Sequence, residues 1–247
     1  SIVAAMFAGI ASGFITAILQ TKMGVDSLLA GIIVNTALYS INIAAMGNSS
    51  LLNMNKTETV FTKVKTLLAG TFLEKQSVLI VSLIAVVLVI LFLSLFLKTK
   101  LGLAIRATGN NPDMVRSSSI NPAFTTIIGL CISNAFTGLS GCLLAQSQKS
   151  VNIDIGTGMV TVALASLLIG GVFMRKGKIT AKAIGVVIGA VVFRLVYTVA
   201  LRFNMPASML KLVSSVIVII AISGPYLKSK YPEFKRRLDH NKARRAA

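Results

Sequence analysis

The chain has 247 residues, of which 55% are hydrophobic and only 13% are charged, and its mean hydropathy is +0.82. Soluble globular domains carry about a quarter charged residues, so this composition excludes that class and indicates a membrane-embedded chain. The formal net charge is +18. Most of the basic residues flank apolar runs, where the preference of positive charge for cytoplasmic loops explains them without a nucleic acid partner.

The first apolar run extends from Ile2 to Leu19 and predicts a membrane span. Its Gly9 and Gly13 have the spacing that lets a second helix approach closely. The run begins at once after Ser1, with no initiator methionine and no basic signal-peptide flank. We therefore expect one or more further segments in front of this chain.

A second span is predicted from about Leu28 to Met46. Within it, Asn35, Tyr39 and Asn42 follow spacings of four and three residues, which align them on one helix face. Lipid cannot satisfy such polar groups. This face is therefore expected to look into protein or into a water-filled cavity.

The segment 47–76 is polar and mixed, too long for a tight turn and too polar to cross a bilayer. It is predicted to be external, with one amphipathic surface helix from Glu58 to Phe72. The third span, Ser77 to Leu97, consists almost entirely of Val, Ile and Leu. Such uniform apolarity is typical of a lipid-facing helix.

The polar segment 98–122, which we call the coupling segment, separates two apolar runs and is basic, so it is predicted to be cytoplasmic. Asn110 or Asn111 can cap a helix, Pro112 suits its first position, and Asp113 favours the positive end of the helix dipole. A mini-helix from Pro112 to about Ser118 is expected. A second cap, Asn121 with Pro122, begins the next span. Such a mini-helix is either a docking element for a soluble partner or an ordinary connector.

The later spans differ in character. The fourth, Ala123 to Ala145, contains small and polar residues, including Asn134, and is expected to pack inside the bundle. An external loop, 146–156, precedes a shorter apolar run from Thr157 to Met174, which either spans or is re-entrant. The last two spans are predicted at Ala183 to Phe203 and Ala207 to Leu227.

Together these elements predict an all-α, polytopic transmembrane helix bundle with about seven spans. Residues 1–227 form one transmembrane domain, and residues 228–247 form a basic tail. The distribution of Lys and Arg places this tail in the cytoplasm of a multi-pass membrane protein.

Enzymatic and metal-binding signatures are absent from the sequence. No phosphate-binding loop is found, His240 is isolated, and no carboxylate lies in any predicted span. Arg194 lies near the middle of the sixth predicted span, where its charge costs at least about 2.5 kcal/mol. It either snorkels or bonds to backbone carbonyls, or it faces a hydrated path and meets an anionic group of a solute, with Thr198 continuing its face.

The string GLAIRATGNNPDMVRSSSIN resembles the cytoplasmic coupling segment of bacterial ABC importer permeases of the branched-chain amino acid and ribose type. The likeness covers roughly Met23 to Leu227, and FRLVYTVALR with MLKLV is similar to a branch associated with amino acids, including tryptophan or tyrosine. Ser119 replaces the family's glycine before Ile-Asn, and RKGK replaces a Gly-rich turn after Gly170-Gly171.

The resemblance implies a non-catalytic permease subunit in a bacterial plasma membrane, without a cofactor. Its implied partners are a second permease copy, cytoplasmic ABC ATPase subunits and an external substrate-binding protein. The residues implied to contact the ATPase are Asn110, Asn111, Pro112, Asp113, Met114, Val115 and Arg116. The residues predicted to line the translocation path are Asn134, Arg194 and Thr198. The alternatives are a secondary carrier or channel without an ATPase, and a purely structural membrane subunit.

Overall fold

The computed structural model describes residues 1–55, 57–67, 74–156, 159–173 and 179–202, together with the single positions 212, 215, 216, 219 and 223. Most of these residues are helical, which confirms the predicted all-α class. By internal contacts the chain divides into a first unit, Ser1–Asp154, and a second unit, Ile155–Ala247. Each unit is described by itself.

The first unit is built of seven described helices and one short strand pair. Its elements are α1 (Ile2–Thr21), α2 (Ser27–Ala45), β1 (Leu51–Asn53), α3 (Val60–Leu67), a 3-10 turn (Glu74–Gln76), α4 (Ser77–Phe96), α5 (Lys100–Asn110), α6 (Pro112–Ser117), α7 (Pro122–Gln148) and β2 (Ser150–Asn152). A 3-10 turn at Ile153–Gly156 follows β2. The second unit contains α8 (Met159–Phe173) and α9 (Ile179–Arg202).

Five of the described helices, α1, α2, α4, α7 and α9, are long and apolar enough to cross a membrane. They coincide with the first, second, third, fourth and sixth predicted spans. The fifth prediction corresponds to α8, whose 15 residues include a shorter apolar stretch, Val162–Gly171. The seventh, Ala207 to Leu227, falls outside the described residues apart from isolated positions. A polytopic helix bundle is confirmed, while the count of seven stays approximate.

The centre of the first unit is the antiparallel pair α1 and α7. A methyl group built on Gly13 would lie 2.6 Å from the carbonyl oxygen of Leu130, and one built on Gly9 would collide with the carbonyl of Asn134. On the opposite helix, Gly138 leaves the same kind of space beside the carbonyl of Ala5. The two backbones therefore touch along a seam that only glycine permits, as the spacing in α1 predicted.

Helix α4 turns most of its surface away from the rest of the unit. Leu79, Leu83 and Leu91 each expose more than half of their surface, and only Ser77 and Val81 of this helix are buried. In a membrane these side chains meet lipid at no cost. This agrees with the lipid-facing role predicted from the uniform composition of this helix.

The second unit repeats the glycine packing of the first. Its helices α8 and α9 run antiparallel, with Gly170 against the carbonyl of Gly185 and Gly189 against the carbonyl of Ser166. Phe193, four residues after Gly189 on the same face of α9, is 1% exposed. Close backbone contact again replaces side-chain interdigitation.

Candidate coupling surface and translocation path

The mini-helix of the coupling segment forms as α6, Pro112–Ser117. The side-chain oxygen of Asn111 accepts hydrogen bonds from the backbone nitrogens of Asp113 and Met114, each at 3.1 Å. Of the two candidate caps, Asn111 is thus the one used, while Asn110 ends α5. The acidic residue of α6 lies in its first turn and the basic residue, Arg116, in its last, where both favour the helix dipole.

Two adjacent residues of α6 face opposite environments. Val115 is 3% exposed and anchors the helix to the unit, whereas Met114 is 65% exposed. The sequence analysis assigned both residues to the surface that contacts the ATPase. The structure separates an apolar anchor, Val115, from an apolar side chain, Met114, that is presented to the surroundings.

The end of α6 is closed by a Schellman motif. The nitrogen of Ile120 donates to the carbonyl of Val115, and the nitrogen of Ser119 donates to the carbonyl of Arg116, both at 3.2 Å. Ser119 occupies the left-handed position of the motif, with φ of +61°. This position favours glycine, so Ser119 stands where the resembled family has the residue that the backbone prefers.

Helix α5 is the first part of the coupling segment and connects α6 to the bundle. The sequence analysis did not predict this helix. Thr99 caps it by accepting from the nitrogen of Gly102 at 3.2 Å. The hydroxyl groups of Thr108 and Thr125 are 2.8 Å apart, and Thr125 is 1% exposed on α7. The sequence indication was the Thr99 cap before an amphipathic run, which two glycines within α5 weakened. The coupling segment is therefore two helices, of which α5 is bonded to the long helix α7.

The polar face predicted on α2 is solvent-accessible within the chain. Asn35, Tyr39 and Asn42 are all exposed, whereas α2 packs through Ala30 and Val34 on its other side. Within the described ranges, none of the three polar side chains makes a hydrogen bond. In a membrane this face needs a water-filled path or another protein surface.

Asn134 lies in the seam between α1 and α7. Its Nδ2 donates to the carbonyl of Leu130 at 2.9 Å within its own helix. Its Cβ would be 3.0 Å from a methyl group built on Gly13. The residue thus contributes to helix packing in the first unit, and its predicted place in the path remains a prediction.

Arg194 and Thr198 share one exposed face of α9 in the second unit. The Arg194 guanidinium lies 5.8 Å from the ring centroid of Tyr197, within range of a cation–π contact. The hydroxyl of Thr198 donates to the Arg194 carbonyl at 2.8 Å. In the part of the chain that is described, the guanidinium has no carboxylate partner. Its charge is therefore open to an anion.

The opposite end of α7 carries a polar junction that the sequence analysis did not identify. Gln146 is 4% exposed; its Oε1 accepts from the nitrogen of Val60, and its Nε2 lies 3.1 Å from Sγ of Cys142 and 3.4 Å from Oγ of Ser1. Strands β1 and β2 pair antiparallel beside it, with Leu52 opposite Val151. Both predicted external segments therefore meet at one end of α7.

The described part of this external region differs in detail from its prediction. The amphipathic helix was expected from Glu58 to Phe72 and is observed as α3, Val60–Leu67, with residues 68–73 outside the described ranges. Neither three-residue strand was predicted. Among the described residues no group of three potential metal ligands occurs.

Residues 1–222 match the family described as the permease component of branched-chain amino acid transport systems. The chain belongs to this family. The permease is accordingly a multi-pass membrane protein and the membrane-spanning subunit of an ABC import system, as the resemblance implied.

Relatives within the family carry different solute names. The permease is 31% identical over 215 residues to a tyrosine transport system permease protein of Clostridioides difficile, covering 87% of this chain and 69% of that protein. It is 24% identical to the nucleoside ABC transporter permease protein NupB of Lactococcus lactis, covering 88% and 61%. It is 27% identical to the fructose import permease protein FruF of Bifidobacterium longum, covering 62% and 44%. No solved structure matches.

Proposed function

We propose that the permease imports an amino acid and receives the energy of ATP hydrolysis through α6. The observation that carries the second part is the geometry of this helix. It is capped by Asn111, held by the buried Val115 and presents Met114 at 65% exposure beside two membrane-spanning helices. A short rigid helix with an exposed apolar residue suits the groove of a soluble partner.

The partners in this proposal are two cytoplasmic ABC ATPase subunits, an external substrate-binding protein and a second permease copy. The second copy accounts for the unsatisfied polar face of α2, because Asn35, Tyr39 and Asn42 then line a path or an interface between copies. The basic tail 228–247 lies in the cytoplasm in this arrangement.

The pairing of two permease copies is tested by cross-linking. Cysteines placed singly at Gly31 and Tyr39 should cross-link two copies. Detection of monomers alone in an ATPase-bound complex would contradict the pairing.

The amino acid assignment is supported by the resemblance of the FRLVYTVALR string and by a tyrosine permease among the relatives. Relatives named as nucleoside and fructose permeases differ in solute, so the assignment depends on side chains of the path rather than on the fold. Helix α9 adds a second argument, because its Arg194 offers a binding group for the carboxylate of an amino acid. A guanidinium without a carboxylate partner can hold a solute carboxylate through two parallel hydrogen bonds.

The coupling assignment is tested by Met114→Asp in the assembled complex, reconstituted in proteoliposomes with ATPase and binding protein. Burial of a new carboxylate against an apolar groove should lower solute-stimulated ATP hydrolysis about tenfold or more. The matched control is Met23→Asp, since Met23 is 67% exposed. It lies in the turn between α1 and α2, which the proposed topology puts on the cytoplasmic side of the membrane, as it does α6.

Equal hydrolysis in the Met114→Asp and Met23→Asp complexes would contradict the assignment. Transport that persists without ATPase subunits would favour the alternative of a secondary carrier or channel. Val115→Asp is not an equivalent test, because charging the buried anchor unfolds α6 itself, which limited proteolysis of the coupling segment would reveal.

The path assignment is tested at Arg194. Arg194→Lys retains the charge but loses the planar fork, so transport should slow while assembly is unchanged. Arg194→Gln should impair transport further. Assembly is followed by co-purification of the ATPase subunits. Loss of assembly in both variants would make the arginine structural, and normal transport in both would remove it from the path.

A further inference from the structure

An apolar cavity of about 250 Å³ lies between α4, α5 and α7, entirely inside the first unit. Its walls include Leu93 and Phe96 of α4, Ile105 of α5, and Gly129, Ile132 and Phe136 of α7. One lining side chain, that of Ser133, is polar. The cavity is open on one side, and its apolar walls favour an apolar group over water.

Side-chain contacts border the cavity on two sides. The rings of Phe92 and Phe136 meet edge to face with centroids 5.5 Å apart, which fixes α4 against α7 at one side. On α7, Gly129 contributes no side chain, and a methyl group built there would already lie 3.4 Å from Cγ2 of Ile105. The cavity is thus bordered by a ring contact between α4 and α7 and by the approach of Ile105 to α7 at Gly129.

Three basic residues lie close in sequence to lining residues, at or just after the junction of α4 and α5. Lys98 follows the lining residue Leu97, Lys100 begins α5, and Arg106 follows Ile105. All three are exposed, and within the described residues none forms an ion pair. Because the apolar span of α4 ends at Phe96, these cations lie at the depth of lipid head groups.

We propose that this cavity takes an acyl chain of an anionic phospholipid, whose phosphate lies between Lys98 and Lys100. The apolar walls match a hydrocarbon chain, and the unpaired cations match the charge of the head group, so the two parts of one lipid fit the two parts of the site. The surrounding bilayer supplies this ligand at high local concentration. The proposal requires only that the chain spans a membrane and does not rest on the proposed ATPase contact.

A lipid in this site acts on the coupling segment. Helix α5 forms one wall, and Asn111 alone separates α5 from α6. Filling the cavity reduces the freedom of α5 to move against α7. The anionic lipid content of the membrane then sets how firmly α6 is held.

The test uses the purified full chain in a neutral detergent, titrated with phosphatidylglycerol or with phosphatidylcholine of the same acyl chains. Bound lipid is counted by native mass spectrometry, and Tm is followed in parallel. Phosphatidylglycerol should bind about tenfold more tightly than phosphatidylcholine, because each cation near the head group favours the anion. Equal retention and equal Tm shifts for the two lipids would overturn the proposal.

Two sets of variants separate the head-group contact from the acyl-chain contact. Lys98→Gln with Lys100→Gln should remove the preference for phosphatidylglycerol, whereas the control pair Lys63→Gln with Lys65→Gln, on the exposed helix α3, should retain it. Loss of the preference in both pairs would reduce the effect to net charge and contradict a specific site.

Filling the cavity tests the acyl-chain contact. Ile132→Phe should lower retention of both lipids, and continued full retention would exclude the cavity. If Ile132→Phe does not fold, Gly129→Ala makes the same test with one methyl group, which meets Ile105 at an ordinary contact distance. Unchanged lipid retention in Gly129→Ala, together with an unchanged Tm response, would also overturn the site.

Discussion

The helix seams and the coupling segment are held together by different physical means. Along α1–α7 and α8–α9, glycines bring backbones into direct contact, and few polar side chains take part. Around α6, one side-chain cap, a closed helix end and one buried valine stabilise the helix within the ten residues from Asn111 to Ile120. Inside a membrane, apolar side chains gain nothing by leaving lipid, so shape decides the packing. In water, hydrogen-bond satisfaction at helix ends decides it.

The seam of α1 and α7 offers the largest expected effect. Gly9→Leu places a side chain where the Asn134 carbonyl already lies, so we expect destabilisation of about 3 kcal/mol and a fall in Tm of about 10 °C. The control is Gly141→Leu on α7, where no atom lies within 4 Å of the added carbon. Thermal unfolding in detergent measures both, and equal losses would mean that close approach is not what stabilises α1.

The second seam permits a test with neighbouring glycines. Gly170→Ala brings a methyl group onto the carbonyl of Gly185, whereas Gly171→Ala meets nothing within 4 Å. We expect the first to cost about 2 kcal/mol and the second to cost nothing, since alanine favours helix. Thiol accessibility of a cysteine at Phe193, buried in the parent chain, reports separation of α8 from α9. Equal accessibility in both variants would contradict the seam.

The cap of α6 should respond more weakly. Asn111→Ala leaves the nitrogens of Asp113 and Met114 without their acceptor and should cost about 1 kcal/mol. Because this cost falls on α6 alone, it should appear as faster hydrogen exchange in residues 112–118, with little change in the overall Tm. Asn110→Ala is the control, since Asn110 does not cap α6. Unchanged exchange in Asn111→Ala would show that Val115 alone holds the helix.

The smallest expected effect is a gain in stability. Ser119 has a left-handed backbone, which costs a non-glycine residue about 1–2 kcal/mol, while glycine loses more freedom on folding. Ser119→Gly should therefore raise the free energy of local opening by a net of about 0.5 kcal/mol. Hydrogen exchange should slow accordingly at Ile120, whose nitrogen closes the motif. Ser118→Gly, at a position with φ of −87°, should give no such gain. Faster exchange in Ser119→Gly would contradict the assignment of strain.

Local chemistry explains which parts of this fold the sequence predicted. A cap at Asn110 or Asn111 and a second cap at Asn121 were predicted, because asparagine before proline defines a helix start within four residues. The spans α1, α2, α4 and α7 were predicted because length and apolarity are properties of single segments. The boundaries shifted by a few residues, as in α7, which begins at Pro122 and ends at Gln148.

The missed features depend on residues far apart in the chain. Strand β1 pairs with a segment about a hundred residues later, and Gln146 caps α3 from α7. Neither has a local pattern, because a three-residue strand and a lone glutamine are common in any loop. The place of Asn134 shows the same limit: its polarity was visible in the sequence, but the glycines that it packs against belong to another helix.

The junction at Gln146 also has a consequence for biosynthesis. The first nitrogen of α3 finds its acceptor 86 residues later in the chain. At a synthesis rate of about 5–20 residues per second, α3 waits roughly 4–17 s for its cap. During this interval, β1 and α1 also lack their partners. The partner of β1 is β2, which follows α7, and the partner of α1 is α7 itself. The synthesis of α7 and β2 is therefore the event that completes the first unit, and a ribosome stalled before residue 122 would leave α1 without its partner α7.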